Sequence, residues 1–185
     1  MSAGTAYVTK TYSGNNGAAA LQGSLEIEGL INNDQPLGWT VPTFPNVNVG
    51  RGKLTVTLKL KSENGGDNYT LAQSTVEVPY SITPAQLSLE SIQAVDRDYI
   101  AGDKTVSTSV TFDGLAKRET LAPGTDYTVS AVMADPNAGT NKKVSVTVVL
   151  TDSAAARNYT FASGNTASGN TTVTIRKIDY TGTTT

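Results

Sequence analysis

The sequence predicts an all-β chain made of two tandem sandwich modules, on three observations. Its longest apolar runs alternate with period 2, turn-forming clusters punctuate them, and the second half repeats the first in the same order. Leu54, Val56, Leu58 and Leu60 alternate with Thr55, Thr57, Lys59 and Lys61, and Val144, Val146, Val148 and Leu150 repeat the pattern. A period of 2 puts one face of a strand in the core and the other in water. Val76 with Val78, then Val173 with Ile175, mark the closing strand of each half. Between them Asn64-Gly65-Gly66, Pro123-Gly124 and Asp135-Pro136-Asn137 carry turn chemistry. No stretch of ten residues or more has a helical period; Ala18–Ala20 and Ala154–Ala156 suffice for one turn each.

Self-comparison sets the organisation. Lys10-Thr11-Tyr12 parallels Arg97-Asp98-Tyr99 at an offset of 87, and Gly29-Leu30 parallels Gly114-Leu115 at 85. Trp39-Thr40-Val41 parallels Tyr127-Thr128-Val129 at 88, and Asn48-Val49-Gly50 parallels Asn137-Ala138-Gly139 at 89. Lys53–Val56 and Asn68–Leu71 parallel Lys143–Val146 and Asn158–Phe161, both at 90. The expected modules are 1–83 and 84–178, with 179–185 a linker or the start of a further repeat. Pro84 has no N–H to give a ladder, so a short stiff linker is expected at Ile82-Thr83-Pro84-Ala85. Six to eight short strands in roughly 90 residues predict an immunoglobulin-like β-sandwich for each module.

Composition narrows the function. The 185 residues include no Cys and no His, which removes thiol nucleophiles, disulfides, thiolate or imidazole zinc sites and histidine-based triads. No Gly-x-Ser-x-Gly elbow occurs, and Gly50-Arg51-Gly52-Lys53 lacks the spacing of a phosphate-binding loop, so no enzyme is expected. A net charge of −2 provides no basic face for nucleic acid. No run of about 18 apolar residues occurs, so no membrane insertion is expected. Met1-Ser2-Ala3-Gly4 has neither the charged nor the apolar region of a signal peptide. The 28 threonines and the low charge favour a piece of a longer secreted chain over a cytosolic protein.

Lys10-Thr11-Tyr12-Ser13-Gly14 and Arg97-Asp98-Tyr99 resemble the lysine-x-tyrosine-x-glycine opening of the bacterial YDG/MBG-type repeats. Gly124–Val129, Asn137–Lys142 and Asn158–Phe161 are similar to their later signatures, and Ile82–Ala85 to their junctions. The likeness is stronger in the second half. In the first, Asn46-Val47-Asn48-Val49-Gly50 replaces Asp-x-Asn-Ala-Gly; in the second, Ile100-Ala101-Gly102 replaces the two-step Tyr-x-Gly. The resemblance implies tandem modules of large, secreted or wall-attached bacterial surface proteins, with no catalytic residues. It points to an extracellular stalk or spacer whose partners are neighbouring repeats of the parent chain, and to a monomer. The alternative is an adhesin module that binds a host glycan or matrix protein.

Candidate sites follow from residue type. Tyr12, Tyr99, Tyr69 and Tyr159 recur in both halves and are expected to pack with their hydroxyls tied to backbone, with Asn68 and Asn158 supporting the adjacent turns. Trp39 and Phe44 are candidates for an aromatic sugar platform, although the alignment of Trp39 with Tyr127 argues for packing. Asp96, Asp98 and Asp103 are candidate calcium ligands near the module joint, with Asp126 and Asp135 as distant additions; the other reading is an ion pair around Arg97. No other cofactor is expected. Lys10 is a candidate amine for a Lys–Asn crosslink, against which stands the absence of Asn and Asp from Thr75–Ile82.

Overall fold

Alternation becomes strand along just under half of the chain in a computed structural model that describes residues 2–31 and 34–181. Among these residues there is no α-helix, and the fold is all-β. The Ala154–Ala156 stretch contributes only to a 3-10 turn, Ala156–Asn158, and Ala18–Ala20 stays irregular. The chain divides into two compact units, Met1–Pro84 and Ala85–Thr185.

Unit 1 holds five strands: β1 (Tyr7–Thr11), β2 (Leu21–Gln22), β3 (Leu37–Thr40), β4 (Gly50–Leu60) and β5 (Thr75–Thr83). They form one sheet in the order β2-β1-β5-β4-β3. The pairing of β1 with β5 is parallel, from Val8 opposite Tyr80 to Thr11 opposite Thr83; the other three pairings are antiparallel. Leu54, Val56 and Leu58 of β4 are buried with Val78 and Ile82 of β5 and Val8 of β1, while Thr55, Thr57 and Lys59 are exposed. Gly65, at φ +82°, turns the chain between two 3-10 turns at Ser62–Asn64 and Gly66–Asn68.

Unit 2 holds β6 (Ala85–Gln86), β7 (Ser88–Ala94), β8 (Arg97–Asp98), β9 (Thr108–Asp113), β10 (Tyr127–Met133), β11 (Gly139–Leu150), β12 (Tyr159–Thr160) and β13 (Thr166–Arg176). One sheet runs β10-β11-β13-β8; β7 pairs with β9, and β6 with β12. Val144, Val146, Val148 and Leu150 of β11 form the centre of the core with Val173 and Ile175 of β13. Phe112 stands edge-on to Tyr127 with centroids 4.9 Å apart, and Phe161 lies 6.1 Å away.

Equivalent pairings occur in both units. The opening strand runs parallel to the closing strand, with Lys10 opposite Ile82 in unit 1 and Arg97 opposite Ile175 in unit 2. The pattern continues beyond each pair: two residues after Lys10 the N–H of Tyr12 donates to the Thr83 carbonyl, and two after Arg97 that of Tyr99 donates to the Arg176 carbonyl. Gly50 lies opposite Ile82 and Gly139 opposite Ile175. From there the ladders differ by one residue. Arg51 faces Ser81 in unit 1, whereas Thr140 and Asn141 together span the single position of Thr174 in unit 2. This is a β-bulge, with Asn141 at φ +52°, and it is the origin of the step in sequence offset from 89 to 90.

Candidate functional site

The residues shared by the two halves build two local devices, one at each end of the repeat signature. The first is a cation clamp on the turn after the opening strand. Lys10 Nζ donates to the Asn15 carbonyl (2.8 Å), the Asn15 side-chain oxygen (3.0 Å) and the Gly17 carbonyl (3.4 Å). The Asn15 oxygen also accepts the Gly17 N–H at 3.0 Å. In unit 2 the Arg97 guanidinium donates to the carbonyls of Asp103 (2.8 Å) and Thr105 (3.3 Å), and Asp103 accepts the Thr105 N–H at 2.8 Å. Lys10 and Arg97 are therefore equivalent, as are Asn15 and Asp103. The extra residue of Ile100-Ala101-Gly102 is absorbed in the turn, where Gly102 at φ +75° stands for Gly14 at φ +68°.

Of the three candidate calcium ligands, Asp96, Asp98 and Asp103, this device uses one. The three aspartates each have a separate partner. Asp96 accepts the Thr174 N–H (2.8 Å), Asp98 pairs with Arg176 (2.7 Å), and Asp103 is held by Thr105 and by Arg97 at 3.4 Å. Among the described residues no three acidic, His or Cys side chains gather into a metal-binding group. The guanidinium of Arg97 already supplies the positive charge beside Asp103 and would repel a second cation. Hydrogen bonds from the Thr105 hydroxyl and N–H, and then the Arg97 charge, hold the Asp103 carboxyl below its ordinary value. Asp126 accepts the Ala122 N–H within its own turn and the Ser153 hydroxyl from the loop after β11, and Asp135 bonds Lys142. Lys10 likewise spends its amine on a hydrogen-bonded turn, above the ring of Phe44 at 5.4 Å.

The second device is a tyrosine clasp. The Tyr69 hydroxyl accepts the Ile31 N–H (3.1 Å) and donates to Asp34 (2.8 Å). The Tyr159 hydroxyl accepts the Ala116 N–H (3.1 Å) and donates to Glu119. Ile31 and Ala116 each follow the shared Gly-Leu pair, Gly29-Leu30 and Gly114-Leu115, by one residue. Asn158 is buried, its amide donating to the Ala154 carbonyl across the turn, whereas Asn68 is exposed. Tyr12 is buried and Tyr99 half-buried, each with its N–H on the closing strand. The carboxylates that complete the clasps, Asp34 and Glu119, escape sequence reasoning because they differ in type; their common distance from the Gly-Leu pair is the signal.

The aromatic platform is not built. Phe44 is 1% exposed and stands edge-on to Tyr80 at 5.2 Å, so it is core. Trp39 is 46% exposed on the edge strand β3. Strand register also corrects its alignment. Leu37 faces Leu60 as Tyr127 faces Leu150, and Trp39 faces Leu58 as Val129 faces Val148. Leu37, not Trp39, holds the packed position of Tyr127.

A family model described as YDG domain matches residues 1–76. The matched stretch lies in unit 1, the half whose motifs depart further from the repeat signatures. No curated protein and no solved structure matches the chain.

Proposed function

We propose that the chain is a pair of immunoglobulin-like modules acting as a non-catalytic spacer in a secreted or cell-surface bacterial protein. The observation that carries this reading is the parallel pairing of opening and closing strands, β1 with β5 and β8 with β13. In unit 1 these are the first and last strands. Tension on the two ends pulls them in opposite senses along their common axis, so the ladder bonds share the load instead of parting one by one. The clamps of Lys10 and Arg97 fasten the turn that leaves each opening strand. Equivalent clamps, clasps and registers support tandem copies of one module, and the family match over residues 1–76 supports a YDG-type module for the first of them.

The second reading, an adhesin module, is favoured by one asymmetry. Trp39 is an exposed indole on an edge strand where unit 2 has Val129. A binding screen of the chain on glycan and matrix-protein arrays separates the two. The spacer reading expects no reproducible ligand at high protein concentration. A hit that Trp39→Ala weakens would overturn it in favour of the adhesin.

A further inference from the structure

In unit 2 the residues after Pro84 form part of the core. Ala85 and Gln86 pair in parallel with Tyr159 and Thr160, and the Leu87 N–H donates to the Thr160 carbonyl at 2.8 Å. Leu87 is 2% exposed. The strand passes so close to Gly114 that a Cβ there would lie 2.3 Å from the Gln86 carbonyl oxygen. Unit 1 has the same surroundings without the strand. Tyr69 and Thr70, the counterparts of Tyr159 and Thr160, have no β-partner among the described residues. Gly29, the counterpart of Gly114, keeps the left-handed conformation at φ +84°, yet a Cβ there would meet nothing within 4 Å. A groove lined by Ile27, Leu30, Leu37, Leu60, Tyr69 and Leu71 opens at this place.

The same chain carries a segment that fits. Ile82 and Ile175 hold equivalent ladder positions, opposite Gly50 and Gly139. Three residues beyond Ile82 begins the plug Ala85-Gln86-Leu87; three beyond Ile175 begins Ile178-Asp179-Tyr180. Ile178 is 63% exposed and Tyr180 93% exposed. In unit 2 the plug residues Ala85 and Leu87 are small and buried, and the same core holds the large rings of Phe112, Tyr127 and Phe161. Unit 1 has the smaller Ile27, Leu37 and Leu71 at those positions, around a groove of about 50 Å³ that must widen to admit Ile178 and Tyr180.

We propose that Ile178–Tyr180 of one copy of this chain add as a parallel strand beside Tyr69–Thr70 of a second copy, with Ile178 in the place of Ala85 and Tyr180 in that of Leu87. Main-chain hydrogen bonds supply the attraction and alternate side chains the selectivity. The contact joins the segment after β13 of one copy to unit 1 of another, so it is heterologous. A three-residue strand buries far less than the roughly 1,200 Å² of a stable interface, so the free association is weak and tightens when the partners are tethered. It goes beyond the spacer reading, and its failure leaves that reading untouched.

The absence of native cysteine supplies the test. Thr160 faces Gln86 in unit 2, so Thr70 of one copy is to face Asp179 of another. Single variants Thr70→Cys and Asp179→Cys, both at exposed positions, are mixed at high concentration under mild oxidation. The expected result is a covalent heterodimer at a yield several-fold above that of a control pair, Ser145→Cys with Asp179→Cys. Adding Ile178→Asp and Tyr180→Asp to the Asp179→Cys chain is to bring the yield down to the control. A yield equal to the control at the outset, or one that survives the double substitution, overturns the proposal.

Discussion

Arg97 and Lys10 do the same work with different head groups, and that equivalence sets the mutational behaviour of the opening turn. Arg97→Ala removes the donors to the Asp103 and Thr105 carbonyls. At roughly 1 kcal/mol per hydrogen bond lost, unit 2 is expected to lose about 1–2 kcal/mol, read as a lowered denaturant midpoint. Arg97→Lys recovers at least half of that loss, because an ammonium already serves in unit 1. Asp103→Asn preserves the turn, as Asn15 does in unit 1, but changes the response to acid. The folded-state pKa of Asp103 lies below its ordinary 3.8, so its contribution is present above that value and disappears as pH falls through the lower one. Asp135, bonded by Lys142, and Asp152, bonded by Arg157, add to the same acid limb. Equilibrium unfolding between pH 5 and about 2 is to show a shallower decline in Asp103→Asn than in the parent. Tyr159→Phe leaves the buried side of its clasp unsatisfied and is expected to cost about 1–2 kcal/mol, more than Tyr69→Phe at its half-exposed site. At this scale the sequence is legible where both halves share a residue type, as with the tyrosines. It misleads where proximity in sequence stands in for geometry: Asp96, Asp98 and Asp103 adjoin in the chain, but ladder and turn give each a different partner.

Along the strands, period-2 alternation locates β4 and β11 because burial on one face and solvent on the other leave no second solution. Short elements are less legible. β2, β6, β8 and β12 have two residues each, too few to show a period. The bulge at Thr140–Asn141 is written in the sequence only as a one-residue step between offsets, and Trp39 is misaligned because an edge strand shifts by two residues without breaking any local pattern. The glycines that follow β9 in unit 2 and its counterpart segment in unit 1 give an element-scale prediction. Gly114→Ala meets both a left-handed backbone and the Gln86 carbonyl, so it is expected to displace β6 and cost several kcal/mol. Gly29→Ala meets only the backbone preference, about 1–2 kcal/mol. Chemical denaturation of the two variants measures the difference; equal losses would mean that the space beside Gly29 is not open.

For the molecule as a whole, composition excludes several chemistries and the repeat organises the chain, while the spacer reading depends on which strands are joined in parallel, a property of topology that no local pattern encodes. That reading makes a mechanical claim: unit 1 resists extension until β1 and β5 shear apart, and unit 2, where β6 and β7 precede β8, until its parallel pairings β6 with β12 and β8 with β13 give way. The measurement that tests it most directly is single-molecule pulling on the chain from its two ends. The account predicts two discrete unfolding events, each releasing roughly 250–350 Å of chain at about 3.3–3.6 Å per residue. Featureless extension at low force, with no discrete event from either unit, would contradict it.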